Sequence, residues 1–459
     1  MMLLGSILSL QFIILAAWWL LKKHNPQTVL LVTGLMMLAV SIILGTNTNL
    51  VASSTGNVVF DLFKVISNTF TSNLVTIGFM IMTIGGYVAY MKHIKANDAL
   101  VYVSMQPLSL FKKYPYIAAV CIIPIGQLLF ICIPSATGLG LLLVASIFPV
   151  LVSLGVSRLT AVSVIAACTV FDVGPSSANT AKAAELAGIN NIIYFVEYQL
   201  PLVLPMIVIL MVLYYFTSRY YDKRDIAKGK STFSKVASPE ELKVDVPLIF
   251  AILPMLPLIL LIVFSKYLQL FNPPIELDVT TAMLISLFIA MLFELVRKRS
   301  IFHFFSGVKK FWEGMGKVFA DIITLIVCAE IFASGLIGLG FIDALVQGSI
   351  QLGFSGLMVG ILIAIIIFLS AILMGSGNAS FFSFGPLVPD ITSQFGLSIT
   401  NTIVPIQLSS SLGRTASPIA GVIIAIAEIA GVSTFELAKR NAIPMIVSLI
   451  FMLLFNLML

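Results

Sequence analysis

Apolar residues run along this chain in long blocks separated by short polar stretches, with neither the alternation of a half-buried strand nor the one-sided stripe of a surface helix. A helix that is apolar all round needs lipid or protein on every side, and about 20 such residues span the hydrocarbon layer. Residues 2–21, 28–45 and 73–91 therefore read as the first three crossings, followed by an amphipathic stretch at 95–112. The first run has no basic start and no small-residue cleavage site, and it ends on Lys22 and Lys23, so it reads as a crossing rather than a removable leader. Trp18 and Trp19 suit an interfacial anchor beside those lysines.

The pattern then changes. Residues 115–155 form two short apolar limbs around PSATG at 134–138, which predicts a re-entrant hairpin. Residues 159–188 are apolar at both ends but carry DVGPSSANT at 172–180. There Pro175 lacks a donor and Gly174 favours unwinding, so one crossing built of two half-helices is expected. Residues 190–218 close this half, bent locally by Pro201 and Pro205. The long polar segment 220–246 holds Lys223, Arg224, Lys228, Lys230, Lys235 and Lys243 and reads as a cytoplasmic linker.

Beyond the linker the same order recurs. Crossings are expected at 247–265 and 277–296, an amphipathic stretch at 301–317, and a crossing at 319–338. A second hairpin at 354–396 turns on GSGNAS, a second broken helix occupies 398–431, and 441–459 is the last crossing. Adding 243 carries Ala136 to Ala379, Pro175 to Pro418, Ala187 and Gly188 to Ala430 and Gly431, and Pro201 to Pro444. Adding 245 carries DALV at 98–101 onto DALV at 343–346. The fold class expected is an all-α polytopic membrane protein made of two repeats, 1–219 and 247–459, each with five crossings and one re-entrant hairpin. Five is odd, so the second repeat is inverted relative to the first. The charges agree: Lys22, Lys23, Lys92, Lys95, Lys112, Lys113, Arg158, the linker, Arg297 to Arg299, Lys439 and Arg440 fall on one side when both termini lie outside. The other side keeps only scattered cations such as Lys64, Lys182 and Lys266.

Composition narrows the function classes. Of 459 residues 59% are hydrophobic and 10% charged, and the net charge of +6 sits in short loops, where it sets orientation and gives no reason to expect nucleic acid. The four cysteines, Cys121, Cys132, Cys168 and Cys328, lie in apolar runs without CxxC spacing, and the three histidines are far apart, so no metal or cofactor is expected. No phosphate loop is present, which argues against ATP-driven pumping, and no nucleophile with a base at membrane depth points to an enzyme.

Unwound backbone at membrane depth is tolerated where it lines a cavity or is buried in protein, and inverted repeats with interrupted helices describe a secondary transporter. The candidate site is the four small, polar segments brought together by the pseudo-symmetry: Ser135, Ala136, Thr137 and Gly138; Ser176, Ser177, Asn179 and Thr180; Ser376, Gly377, Asn378, Ala379 and Ser380; and Arg414, Thr415 and Ser417. Half-helix N-termini offer unpaired N–H groups, which favour an anionic substrate such as a carboxylate. Small residues that merely let helices pack closely are the competing reading of any single serine. Arg414 is expected in the unwound middle of the second broken helix, as a cation for substrate or gating. Asp172, just before the first break, is a candidate coupling residue, with satisfaction of local N–H groups or pairing with Lys182 as its alternatives. Asp321, Glu330, Asp343 and Glu428 are read as closer to helix ends or interdomain contacts.

The tips PSATGLG and GSGNASFFSF, the break GRTASPIAG and the overall length resemble the DcuC-type anaerobic C4-dicarboxylate carriers, within the ion transporter superfamily that includes the divalent-anion/sodium symporters. The resemblance implies transport of succinate, fumarate or malate across the bacterial inner membrane by exchange, efflux or cation-coupled transport. It also implies a homodimer with scaffold and transport domains moving as an elevator. Sodium-coupled relatives carry Ser-Asn-Thr at the tips; here the tips read Ser135-Ala136-Thr137 and Asn378-Ala379-Ser380, so carboxylate contact carries over while the coupling ion, sodium or proton, stays open. A carrier of another small organic anion, such as citrate, and an anion channel are the alternatives.

Overall fold

A computed structural model describes residues 2–46, 51, 53–106, 114–228, 246–268 and 275–458. The described residues are helical, with no strand among them. Nine of their helices are long and apolar enough to cross a membrane: Leu4–Leu21, Pro26–Ile43, Val58–His93, Pro115–Cys132, Asn191–Ala227, Val279–Lys298, Phe305–Gly338, Gly356–Met374 and Thr434–Asn456. Leu4, Ile7, Ile14, Phe288, Leu369 and Ile450 are among many large apolar side chains left exposed on them. On this chain such faces meet lipid. It is a multi-pass membrane protein.

Several elements depart from the sequence reading. The third crossing is the second part of a longer helical run, because Val58–Asn73, started by Asn57 accepting from the Val59 amide, runs through Leu74–Gly78 into Phe79–His93. Its polar residues hid the first part. The crossing expected at 247–265 is a 3₁₀ stretch, Leu248–Met255, followed by the short helix Leu256–Val263. Pro254 and Pro257 withhold the N–H groups that a regular helix needs. The first limbs of the two hairpins, Pro115–Cys132 and Gly356–Met374, are longer than expected. Helix Leu200–Ala227 continues into the segment assigned to the linker, and the rest of that segment, 229–245, lies outside the described residues, as does 107–112 of the first amphipathic stretch.

Matched features recur at nearly constant spacing. Leu74–Gly78 and Phe319–Ile323, 245 residues apart, are both single π-helical turns. Lys95 and Gly340 sit at the same spacing in left-handed conformation, each starting a helix. Ser135 and Ser376, 241 residues apart, cap the second limbs with φ of −140° and −141°. At the breaks Ala178–Ala187 and Gly421–Ala430 stand 243 apart. The hairpin tips thus match at 241 rather than the 243 that pairs Ala136 with Ala379. The two added residues fall between the start of helix Ile399–Thr415 and the second break.

The described chain forms two compact units. One comprises Met1–Phe79, Ala181–Asn190 and Phe319–Arg414. In it helix Pro26–Ile43 lies against Thr324–Gly338 through glycines: a Cβ on Gly34 would stand 2.8 Å from the Phe332 nitrogen, and one on Gly335 would stand 2.9 Å from the Gly34 carbonyl. Such close backbone approach is how helices associate where lipid is as apolar as leucine. Leu38, Val65, Val327 and Ile331 form a core beside it.

The other unit comprises Met80–Thr180, Asn191–Val318 and Thr415–Leu459. Helix Phe79–His93 meets Ile301–Val318 here, where a Cβ on Gly314 would stand 2.8 Å from the Gly85 carbonyl. A buried ionic network ties four elements together. Arg440 places Nη1 2.7 Å from Asp222 and Nη2 2.6 Å from Asp225. Ser157, Thr160 and Tyr116 donate to Asp222 as well. Arg440, counted as a loop cation in the sequence, is 4% exposed and structural in its contacts. With every partner hydrogen-bonded, the group meets the condition for keeping charge in a protein interior.

Candidate functional site

Three of the four segments singled out in the sequence open a helix, and the fourth closes helix Ile399–Thr415 just before another begins. Ala136–Ser146, Ala178–Ala187, Gly377–Phe384 and Gly421–Ala430 all begin at a tip or a break. Each start presents N–H groups with no intrahelical partner and a partial positive charge.

In the unit containing the first hairpin, the Ser135 hydroxyl accepts from the Gly138 amide at 3.2 Å, so its oxygen serves first as a helix cap. Ala136 and Gly138 are half-buried and Thr137 is exposed at this tip. The first broken helix stops at Ala167 and restarts at Ala178. Gln127, from the first limb, donates to the Ala167 carbonyl at 2.8 Å and closes the helix end. Within the break Gly174 has φ of +103°, a conformation that favours glycine. Its amide donates to Gln199 Oε1 at 3.2 Å, and Gln199 Nε2 donates to Thr180 Oγ1 at 2.9 Å. Ser177 accepts from the Thr180 amide at 3.4 Å. Asn179 Nδ2 donates to Asp172 Oδ2 at 3.1 Å, while Asn179 Oδ1 is buried without a hydrogen-bond partner. Asp172, Ser176, Ser177, Asn179 and Thr180 are all buried. Of the two alternatives for Asp172, a local hydrogen bond is present, and Lys182 instead pairs with Glu185 and Glu330.

The second break occupies residues 416–420. The Thr415 carbonyl accepts from Asn441 Nδ2 at 3.2 Å, and Asn441 Oδ1 accepts from Ser163 at 2.6 Å and from the Tyr214 hydroxyl at 3.0 Å. Ser417 accepts from the Ile419 amide at 3.3 Å. Gly421 follows Ala420, whose side chain carries no oxygen, so among the four helix starts this one has no side-chain cap.

In the unit containing the second hairpin, Ser376 accepts from the Ala379 amide at 3.2 Å, the counterpart of Ser135. Gly377 packs on helix Ile399–Thr415, where a Cβ would stand 3.0 Å from the Ser410 carbonyl. Asn378 is half-buried and Ala379 fully buried. Ser380 turns away from the tip and donates to the Ile367 carbonyl at 2.7 Å, which joins the two limbs. Arg414 is 8% exposed and lies in the last helical turn of Ile399–Thr415, not in unwound chain as the sequence suggested. The helix runs further than expected, and within it Ser409 and Ser410 return their hydroxyls to the Pro405 and Gln407 carbonyls at 2.7 Å, which satisfies them without unwinding the chain.

Sequence reasoning missed Gln127, Gln199, Gln407, Asn441 and the buried Ser409 to Ser411. A buried carboxamide inside an apolar run was the available signal. Among the described residues no group of three or more His, Cys, Asp or Glu is placed to hold a metal ion.

The sequence profile of the DcuC family, described as C4-dicarboxylate anaerobic carrier, matches residues 4–459. A Vibrio cholerae protein named as a probable anaerobic C4-dicarboxylate transporter DcuC is 33% identical over 440 residues, covering 94% of this chain and 93% of that one. The Escherichia coli K12 anaerobic C4-dicarboxylate transporter DcuC is 31% identical over 436 residues, 95% of this chain and 92% of its own. Among solved structures, Neisseria gonorrhoeae MtrF, described within a class of antimetabolite efflux pumps, superposes with a TM-score of 0.61 at 11% identity, covering 94% of both chains. The Alcanivorax borkumensis YdaH transporter does so at 0.57 and 14% identity, covering 94% of this chain and 98% of that one. At those identities the likeness speaks for the fold.

Proposed function

The chain belongs to the DcuC family of C4-dicarboxylate anaerobic carriers, and from that premise we propose that it carries succinate, fumarate or malate across the bacterial inner membrane as a secondary transporter. The observation that carries the reading is that each unit holds helix starts at a tip or a break, those of Ala136–Ser146, Ala178–Ala187 and Gly421–Ala430 in one and that of Gly377–Phe384 in the other, since a carboxylate is held by such donors without a metal. Gly421–Ala430, lacking a side-chain cap, has the most N–H groups left for a ligand. Ser135 to Gly138, Ser176, Ser177, Asn179 and Thr180, Ser376 to Ser380, and Arg414, Thr415 and Ser417 are the binding residues of this reading.

The repeated π turns, left-handed helix starts and serine caps support two repeats, read as inverted with both termini outside, while alternating access of the elevator type by a homodimer is what the family resemblance implies. Transport runs by exchange or by coupling to a cation. Asp172, with the orphan Asn179 oxygen beside it, is the place in this site for a coupling cation.

Thermal stability of the purified protein in detergent tests the substrate class. A ligand at about 100 times its Kd stabilises the folded state by about 2.7 kcal/mol. Succinate, fumarate and malate are expected to raise the unfolding midpoint while acetate leaves it in place. A larger rise with citrate than with any C4 acid would move the assignment to a tricarboxylate carrier.

A further inference from the structure

Three charged side chains and one amide meet in the unit that holds Met1–Phe79, Ala181–Asn190 and Phe319–Arg414, and the substrate reading does not use them. Lys182 Nζ lies 2.7 Å from Glu185 Oε2 and 3.2 Å from Glu330 Oε2. Asn73 Nδ2 donates to that same Glu330 oxygen at 2.9 Å. The Lys182 side chain is 4% exposed, whereas Glu185 and Glu330 are 25% and 34% open, so a proton can reach the carboxylates. One ammonium faces two carboxylates, which leaves one negative charge uncompensated, and Glu330 carries its carboxylate on a membrane-spanning helix, an expensive arrangement that proteins keep for function.

The amide shows what would complete the cluster. Both Nδ2 hydrogens of Asn73 are committed, one to Glu330 and one to the Thr69 carbonyl at 2.9 Å, and this fixes the orientation of the group. Its Oδ1 is then a buried acceptor without a hydrogen-bond partner on a residue that is 2% exposed. A metal cation would suit that oxygen, but the ammonium 3.2 Å from the neighbouring carboxylate repels one. A proton suits it better. With Glu330 protonated on Oε1, that O–H donates to Asn73 Oδ1 while Oε2 goes on accepting from Nδ2, the two-point ring that acids and amides form. The cluster becomes neutral, and Lys182 keeps Glu185.

We propose that Glu330 is a proton-binding residue of this protein, its affinity set by Asn73, Lys182 and Glu185; that the proton is coupled to transport rests on the carrier reading above. The elements involved suit coupling. Lys182 follows Asn179 and Thr180 by less than a turn on Ala178–Ala187, and Asn73 immediately precedes the π turn Leu74–Gly78, a kind of irregularity frequent at functional sites. Other charged groups on the elements packed against Thr324–Gly338 are engaged elsewhere or lie on another turn. Asp61 accepts from Ser54 and Thr55, Lys64 donates to the Ser53 carbonyl, Asp343 accepts from Gln394, and Asp321 stands on the turn Phe319–Ile323.

The test uses the full chain in liposomes, comparing succinate accumulation driven by a pH gradient with succinate counterflow, together with infrared detection of the protonated carboxyl band as pH falls. In Glu330→Gln the ratio of gradient-driven uptake to counterflow is expected to drop at least tenfold, and one carboxyl band should disappear from the titration. In Glu185→Gln, where Lys182 serves Glu330 alone and the cluster is neutral without a proton, the same ratio is expected to fall. An unchanged ratio or an undiminished band in Glu330→Gln, or an unchanged ratio in Glu185→Gln, overturns the proposal. If the unsubstituted protein shows no counterflow, the carrier reading fails separately while the infrared titration still decides whether Glu330 binds the proton. If Glu330→Gln does not fold, Glu185→Gln decides it.

Discussion

Arg414 shows how far single residues were legible. The sequence placed it in the unwound middle of the second broken helix, because small residues and Pro418 surround it, whereas the structure finds it buried in the last helical turn, two residues before the break at 416–420. Its helical state was hidden, because whether a serine run unwinds or bonds back to its own helix depends on local geometry that composition does not record. The caps Ser135 and Ser376 were visible as polar residues at the tips, but their hydroxyls serve the helix start as well as any ligand. Gln199 and Asn441 were invisible because their partners, Gly174 and Thr415, are far away in sequence. A hydrogen bond to a charged group contributes about 1.5–3 kcal/mol, and about 1.4 kcal/mol is a tenfold change in affinity. Replacing Arg414 by alanine is therefore expected to raise the KM for succinate by at least tenfold, and replacing it by lysine to recover part of that, since lysine keeps the charge but loses the planar two-donor fork. Unchanged KM in both variants would remove Arg414 from the substrate site.

Elements were legible where a long apolar block fills a whole helix, as in Pro26–Ile43 and Val279–Lys298, and illegible where polar residues or prolines dilute it, as in Val58–Asn73 and Leu248–Met255. The π turns could not be foreseen, because nothing in a hydropathy pattern distinguishes a π turn from an α turn. Glycine spacing carries the packing that pattern leaves out. A Cβ on Gly413 would collide with the Phe368 carbonyl, joining Ile399–Thr415 to the first limb of the second hairpin, whereas a Cβ on Gly360 would meet Thr402 at 3.4 Å, an ordinary contact. Overpacking costs about 1–3 kcal/mol. Gly413→Ala is expected to lower the unfolding midpoint and the folded yield in detergent, while Gly360→Ala stays near the original, both read by thermal melts and size-exclusion chromatography. Equal stability of the two would show that the hairpin and helix are looser than described.

For the whole molecule, the membrane class was legible from composition alone, and prolines and the word DALV at nearly constant spacing pointed to local features that recur along the chain. The two compact units were not, because each draws segments from both halves of the chain and no linear division can express that. The chain belongs to the DcuC family, and its helix starts at tips and breaks are the feature on which the proposed carboxylate site rests. The measurement that tests this most directly is counterflow in liposomes containing only the purified chain. With unlabelled succinate trapped inside, labelled succinate outside is expected to accumulate transiently above its equilibrium level, to be competed by fumarate and malate, and to do so without ATP. Labelled succinate that merely equilibrates, or fails to enter, would contradict the account of a C4-dicarboxylate carrier.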